Sequence, residues 1–208
     1  VSPKNFEPLV TKRDPDITGK LSTACYSTIE IDPERFSKIR DWCTDCGAKI
    51  NDFLMTALLL TINSWNREKT APEKKYIPLV FAADMRRRYA LGAGPIANLS
   101  SAQRFWIKRK EITDFKGTAR VVKLKLDRMK KMGLSLDGIA MILNGALIPG
   151  AIARAIFKPV FKMMARYVTR VSGLTNIGPI PDEAGKLGNI EARRCSILVP
   201  VFPAKNLL

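Results

Sequence analysis

A chain of 208 residues with 46% hydrophobic and 26% charged side chains has the length of one domain with its own core, or of half of a two-lobed protein, and a globular composition that excludes disorder and collagen-like repeats. Lys and Arg number 35 against 19 Asp and Glu, a formal charge of +16, and there is no histidine. That zero excludes Ser-His-Asp and Cys-His hydrolysis, His-ligated zinc and histidine proton relays within this chain.

Residues 1–21, with Pro3, Pro8 and Pro15 among alternating charges, read as an irregular lead-in to an ordered unit over 22–208. Residues 24–31 alternate polar and apolar positions with β-prone types and predict a strand. Asp32-Pro33 then caps and opens a helix in which Phe36, Ile39 and Trp42 recur at helical spacing as far as Gly47. A second helix follows, with Asn51 as its cap and Asp52 at its positive end; residues 53–65 are apolar nearly all round, so this helix is expected to be buried. Residues 76–83 read as an interior strand that ends at Asp84, ahead of Arg86, Arg87 and Arg88. After a loop holding Gly92 and Gly94, residues 97–107 are β-prone. Behind an Asp114 cap, Phe115, Ala119, Val122, Leu126 and Met129 step by four and three, the clearest helix of the chain, closed by Gly133. Helical stretches over 136–147 and 151–168 are parted by Pro149-Gly150, and strands over 168–177 and 189–202 finish the chain. This order predicts an α/β fold, a mixed β-sheet layered with helices.

The four cysteines, Cys25, Cys43, Cys46 and Cys195, are too sparse for a disulfide framework and point to a reducing, cytoplasmic setting. Cys43 and Cys46 have the C-x-x-C spacing of redox dithiols and zinc knuckles, but residues three apart on a helix also simply share a face, and no metal site is expected. No amino-terminal apolar stretch with a cleavage site is present, so no secretory signal is expected. The longest uncharged run, between Asp137 and Arg154, is shorter than the ~20 residues of a membrane span. Gly92, Gly94 and Ala97 match a relaxed dinucleotide fingerprint, but no strand-to-helix context surrounds them. Residues 104–208 hold 20 Lys and Arg against 7 Asp and Glu. Such a half attracts phosphates, acidic proteins, anionic lipids and nucleic acids alike. Nucleic acid is disfavoured, because only Phe105 and Trp106 stand beside the basic run 108–110. The helix over 114–131 has the pattern of a peripheral membrane contact, though a stripe of that spacing more often faces a core.

Three segments carry a family resemblance. A-K-I-N-D-F-L-M-T-A-L over 48–58, P-L-V-F-A-A-D-M-R over 78–86 and S-G-L-T-N-I-G-P over 172–179 resemble, in order, the "T-x-N-D-x-x-L-x-A-L" helix start, the strand ending in "D-x-R" and the "S-N-x-P-G-P" or "T-N-x-G" strand of the CoA-dependent acyltransferase superfamily. That group includes chloramphenicol acetyltransferase, peptide-synthetase condensation domains and wax ester synthases. The resemblance implies one lobe, carboxy-terminal, of a chloramphenicol acetyltransferase-like two-lobed fold. The family's later strand and closing helix have no counterpart before Leu208, so this lobe is expected to be truncated at its end. The family's catalytic H-H-x-x-x-D-G belongs to the other half, so no catalytic residue is expected here and the chain is expected to be inactive without its amino-terminal lobe. The implied donor is an acyl-CoA or phosphopantetheine thioester, held by no cofactor site of this lobe alone. The implied partners are that missing lobe and coenzyme A or an acidic acyl carrier protein; the acceptor is an alcohol or amine. By resemblance Thr175 and Asn176 face the channel between the lobes, although a strand end before a turn explains them equally. Asn51 and Asp52 are explained by helix capping or by the same channel, and Asp84 with Arg86 by an ion pair beside it or a solvated turn. The alternative function is a noncatalytic basic module that binds an acidic protein, lipid or nucleic acid.

Overall fold

Pro33 opens the first helix, α1 (Pro33–Asp45), in the computed structural model, which describes Phe6 and residues 27–68, 74–84, 100–132, 171–176, 178, 186–187 and 190–191. Asp32 caps it, its carboxylate accepting from Arg35 N at 2.8 Å, and Pro33 takes a first-turn position where no N–H is required. Gly47 ends it at φ 59°. Ala48 N donates to Cys43 O at 2.7 Å and Gly47 N to Thr44 O at 3.0 Å, the two bonds of a Schellman motif. Ahead of α1, residues 27–31 are not the strand that their alternation predicts. Ile29 and Ile31 are 85% and 50% exposed; alternation supplies a strand's faces but not the neighbouring ladder that its backbone needs.

Helix α2 (Ile50–Glu68) begins two residues earlier than an Asn51 cap requires. Asp52 does the capping instead from inside the first turn, its Oδ2 accepting from Lys49 N at 2.8 Å, the reach-back half of a capping box. Asn51, already helical, is released for another contact. One face of α2 carries Met55, Leu59 and Ile62 into the core.

Strands β1 (Tyr76–Asp84) and β2 (Ser100–Lys108) pair antiparallel from Tyr76 opposite Lys108 to Asp84 opposite Ser100. Strand β3 (Ser172–Leu174) joins the other edge of β1 in parallel, Leu79 opposite Ser172. The sheet order β2-β1-β3 puts β1 in the centre, which its continuous apolar run anticipates. A proline inside a central strand needs an explanation. Arg109 N donates to Lys75 O at 2.9 Å, which continues the β1–β2 register, so odd residues of β1 address β2 and Pro78 points to the opposite edge. There it falls between the bridge of Phe6 to Tyr76 and the start of β3, where its missing N–H leaves no gap in a ladder. Lys186–Leu187 and Ile190–Glu191 form a separate short antiparallel pair, β4 and β5.

Between β2 and the third helix a single 3-10 turn spans Arg109–Glu111. Helix α3 (Phe115–Met132) follows, with Asp114 Oδ1 accepting from Gly117 N at 3.1 Å as the sequence predicts. The core lies between one sheet face and the helices α2 and α3. Ile77 and Leu79 of β1 stand opposite Ile107 and Phe105 of β2, and the four meet Met55, Leu59, Ile62, Val122 and Leu126. Each such side chain contributes about 1.5–3 kcal/mol by leaving water. Helix α1 is fastened by rings instead. Trp42, Phe53 and Phe115, one from each helix, form a triangle with centroids 4.9 to 5.5 Å apart. The described residues thus make a mixed α/β unit of three helices and a small three-stranded mixed sheet. The stretches 136–147 and 151–168 and most of 189–202 lie outside the described residues.

Candidate functional site

The parallel pairing of β3 with β1 brings residue 176, two positions past β3, to the amino-terminal end of α2. Asn176 Nδ2 donates to Asn51 Oδ1 at 2.6 Å, across 125 positions of sequence. Asn176 Oδ1 in turn accepts from Gly178 N at 2.9 Å, and Gly178 has the φ of 74° that bends the chain back for it. These two bonds fix both carboxamides. The Gly178 N–H needs an oxygen, so the amide nitrogen of Asn176 faces Asn51, and Asn51 must meet it with oxygen. One N–H of Asn176 and both of Asn51 are left without a partner among the described residues.

Around this pair is a shallow, half-open recess of about 200 Å³, measured out to solvent and lined by Asn51, Met55, Phe81, Ala82, Leu174 and Asn176. Its floor is apolar and its rim offers amide donors at the positive end of α2. Such a rim suits a carbonyl oxygen or developing negative charge. Of the residues singled out in the sequence, Asn51 and Asn176 therefore meet, and Thr175 stands exposed beside them. Met55, Phe81, Ala82 and Leu174 carry no polar chemistry to single them out. Met55 lies one helical turn beyond Asn51, and Leu174 is two strand positions before Asn176, so periodicity about the polar pair is the signal that finds those two.

Asp52 lies apart from the recess. It is 2% exposed, Oδ2 is used on Lys49 N, and Oδ1 is buried with no partner among the described residues. Asp84 is exposed at the end of β1 opposite Ser100; Arg86, its expected partner, lies outside the described residues, as do Gly92 and Gly94. Cys43 is buried and Cys46 half-buried, both as free thiols. Burial, then the charge of Asp52, then Cys46 push the Cys43 thiol above its ordinary value, the reverse of what a nucleophilic or metal-bound thiolate requires. Among the described residues no group of three or more Cys, Asp or Glu is placed to hold a metal ion, and no helix is long and apolar enough to cross a membrane.

The fold and site define a mixed α/β unit with an amide-rimmed recess at a parallel strand edge. In sequence the chain is similar to two uncharacterized proteins of Mycobacterium tuberculosis, MT2362 and Rv2305, each 26% identical over 145 residues. The match takes in 69% of this chain and 33% of each of those proteins, so it spans about a third of the length of the curated relatives. No family model matches the chain, and no solved structure matches it.

Proposed function

We propose that this chain is the carboxy-terminal lobe of a CoA-dependent acyltransferase, with a chloramphenicol acetyltransferase-like partner lobe that supplies the catalytic histidine. The reaction is transfer of an acyl group from a CoA or carrier-protein thioester to an alcohol or amine, in the reducing cytoplasm. The observation that carries this reading is the convergence of the three family-like segments on one recess. Asn51 comes from the first, Phe81 and Ala82 from the second, Leu174 and Asn176 from the third. Packing of α2 on the sheet and pairing of β3 with β1 bring the three segments together, and the polar residues of the first and third meet at their common edge. The relatives are also about three times as long as the matched segment, as a two-lobed enzyme requires.

In this reading the lobe supplies polarity and not the base. The unspent N–H groups of Asn176 and Asn51 hold the thioester carbonyl oxygen as it becomes a tetrahedral oxyanion, and Thr175 adds a hydroxyl, while the acyl or pantetheine chain runs outside this shallow recess, between the two lobes. The excess of positive charge over 104–208 draws in the phosphates of coenzyme A or an acidic acyl carrier protein. Acyl-CoA turnover with alcohol and amine acceptors tests this. The chain alone should show none, and the chain joined to an amino-terminal lobe bearing H-H-x-x-x-D-G should show transfer. Asn176→Ala in that assembly should cost about 10²-fold in kcat, the loss of one oxyanion donor. Asn51→Ala should cost less and add little to Asn176→Ala, since the two act as a pair. Turnover by the chain alone, or full activity of Asn176→Ala in the assembly, overturns the assignment.

A further inference from the structure

We propose that the outward face of α3 is a docking strip for an acidic helix of a partner protein. Helix α3 buries Thr118, Ala119, Val122 and Leu126 on one side. At 100° per residue the opposite side carries Lys116, Arg120, Leu124, Arg128 and Lys131, all of them exposed, together with Asp127, whose charge is answered by Lys123 and Lys130. Successive members rise about 4.5–6 Å along the axis, three or four residues at 1.5 Å each, so the strip runs about 22 Å, winding slowly around α3 as four-residue rows do. The cations on the flanks of α3 are already answered. Lys123 meets Asp127 at 2.9 Å, Lys130 meets the same carboxylate at 3.9 Å, and Lys125 meets Glu111 at 2.7 Å. Lys116, Arg120, Arg128 and Lys131 have no ion-pair partner among the described residues.

The strip has the layout of a contact with one anchor. Leu124, 63% exposed, sits midway, with Arg120 one turn before it and Arg128 one turn after. Like charges at helical spacing repel when nothing answers them, so a partner with carboxylates at the same pitch gains at each step. An acidic amphipathic helix with one apolar residue facing Leu124 matches both features. An anionic membrane fits less well, because the apolar side of α3 is spent in the core and leaves only Leu124 and Met132 to insert. A single-stranded nucleic acid would find no aromatic side chain on the strip on which to stack its bases, and a duplex, held through its phosphates, would leave Leu124 without an apolar partner. The strip stands on geometry and charge independent of the recess, and holds whether or not the chain is an acyltransferase lobe.

The test titrates the full chain with a fluorescent helical peptide carrying Glu at three- and four-residue spacing around one Leu. A peptide of the same composition in scrambled order, vesicles of phosphatidylcholine and phosphatidylglycerol, and a single-stranded oligonucleotide are measured beside it. The ordered peptide should bind at least about tenfold tighter than the scrambled one, and added salt should weaken it. Lys116→Glu/Arg120→Glu/Arg128→Glu should cost a further tenfold or so, and a Lys-for-Glu peptide should recover binding to that variant, which shows that the variant is folded. Leu124→Ala should weaken binding severalfold, while Arg40→Glu/Lys110→Glu, exposed cations elsewhere, should leave it unchanged. Equal binding of ordered and scrambled peptides, no effect of the triple reversal, or vesicles or oligonucleotide held through these residues in place of the peptide overturns the proposal.

Discussion

Glu111 joins three parts of the molecule through one oxygen: Oε2 accepts from Lys108 N at 3.0 Å, at the end of β2, and from Lys125 Nζ at 2.7 Å, on α3. Burial acts to raise its carboxyl pKa, but the hydrogen bonds from Lys125 and the Lys108 amide, with the charges of both lysines, hold it below its ordinary 4.5. A carboxyl whose folded pKa is depressed gives stability that is complete above the unfolded value and is lost as pH falls through the folded one. Urea-unfolding free energies should therefore fall more steeply below about pH 4.5 in the wild type than in Glu111→Gln, and the two profiles should converge at the acid end. Parallel profiles would remove Glu111 from the set of carboxylates that stabilise the fold. The same residue shows what a sequence hides. Glu111 follows a basic run and looks like any solvated acid, because its partner Lys125 lies fourteen positions away, beyond a turn whose direction no local pattern states.

At the scale of elements, α1 and α3 were legible because their ends are written in residue types. Asp32-Pro33, Gly47 and Asp114 each mark a boundary that the backbone respects. Two glycines at these boundaries work by different physics. At Gly47 an added Cβ would have no close neighbour, Lys123 Cε at 3.9 Å being nearest, but φ of 59° is costly for any side chain. At Gly117 the Cβ would collide with Thr113 Oγ1 and come within 2.7 Å of Asp114 Oδ1, the atom that caps α3. Gly47→Ala should cost about 1–2 kcal/mol, with Gly47→Asn costing less because asparagine tolerates the left-handed region. Gly117→Ala displaces the Asp114 cap, worth about 0.5–2 kcal/mol, but alanine returns about 1 kcal/mol of helix propensity, so its net cost should be smaller than that of Gly47→Ala. Denaturant midpoints separate the cases, and equal losses for Gly47→Ala and Gly47→Asn would contradict a purely conformational cost. The start of α2 was misplaced by two residues because Asn51 and Asp52 are both capping types. Which one caps depends on where the Schellman turn of α1 delivers the chain. That shift decides the site: with the helix starting two positions later, Asn51 would be spent as its cap and could not reach Asn176.

For the molecule as a whole, composition and order of elements suffice for a mixed α/β reading, and the apolar run of β1 marks the central strand. Strand order and the meeting of Asn51 with Asn176 come from pairings between distant segments, about which local periodicity is silent. The lead-in shows the same gap from the other side. Three prolines and alternating charges read as irregular chain, yet Phe6 bridges to Tyr76 and sets its ring 5.8 Å from Tyr76 and 6.0 Å from Trp106. Those rings lie on the sheet face that turns away from α2 and α3, where Ala82, Ala102, Arg104 and Trp106 are exposed. A sheet with one face on a core and the other toward water leaves its aromatic residues half-covered. Phe6 fills that role for Trp106, which is 40% exposed even so. In a Trp42→Phe/Trp65→Phe background, where Trp106 is the one remaining tryptophan, Phe6→Ala should red-shift the emission and increase acrylamide quenching. The denaturant midpoint should move little, because the core on the far face is untouched. A midpoint that falls as far as for a core substitution would mean that the lead-in helps to hold the sheet together. Unchanged quenching would mean that Trp106 is shielded by some other part of the chain.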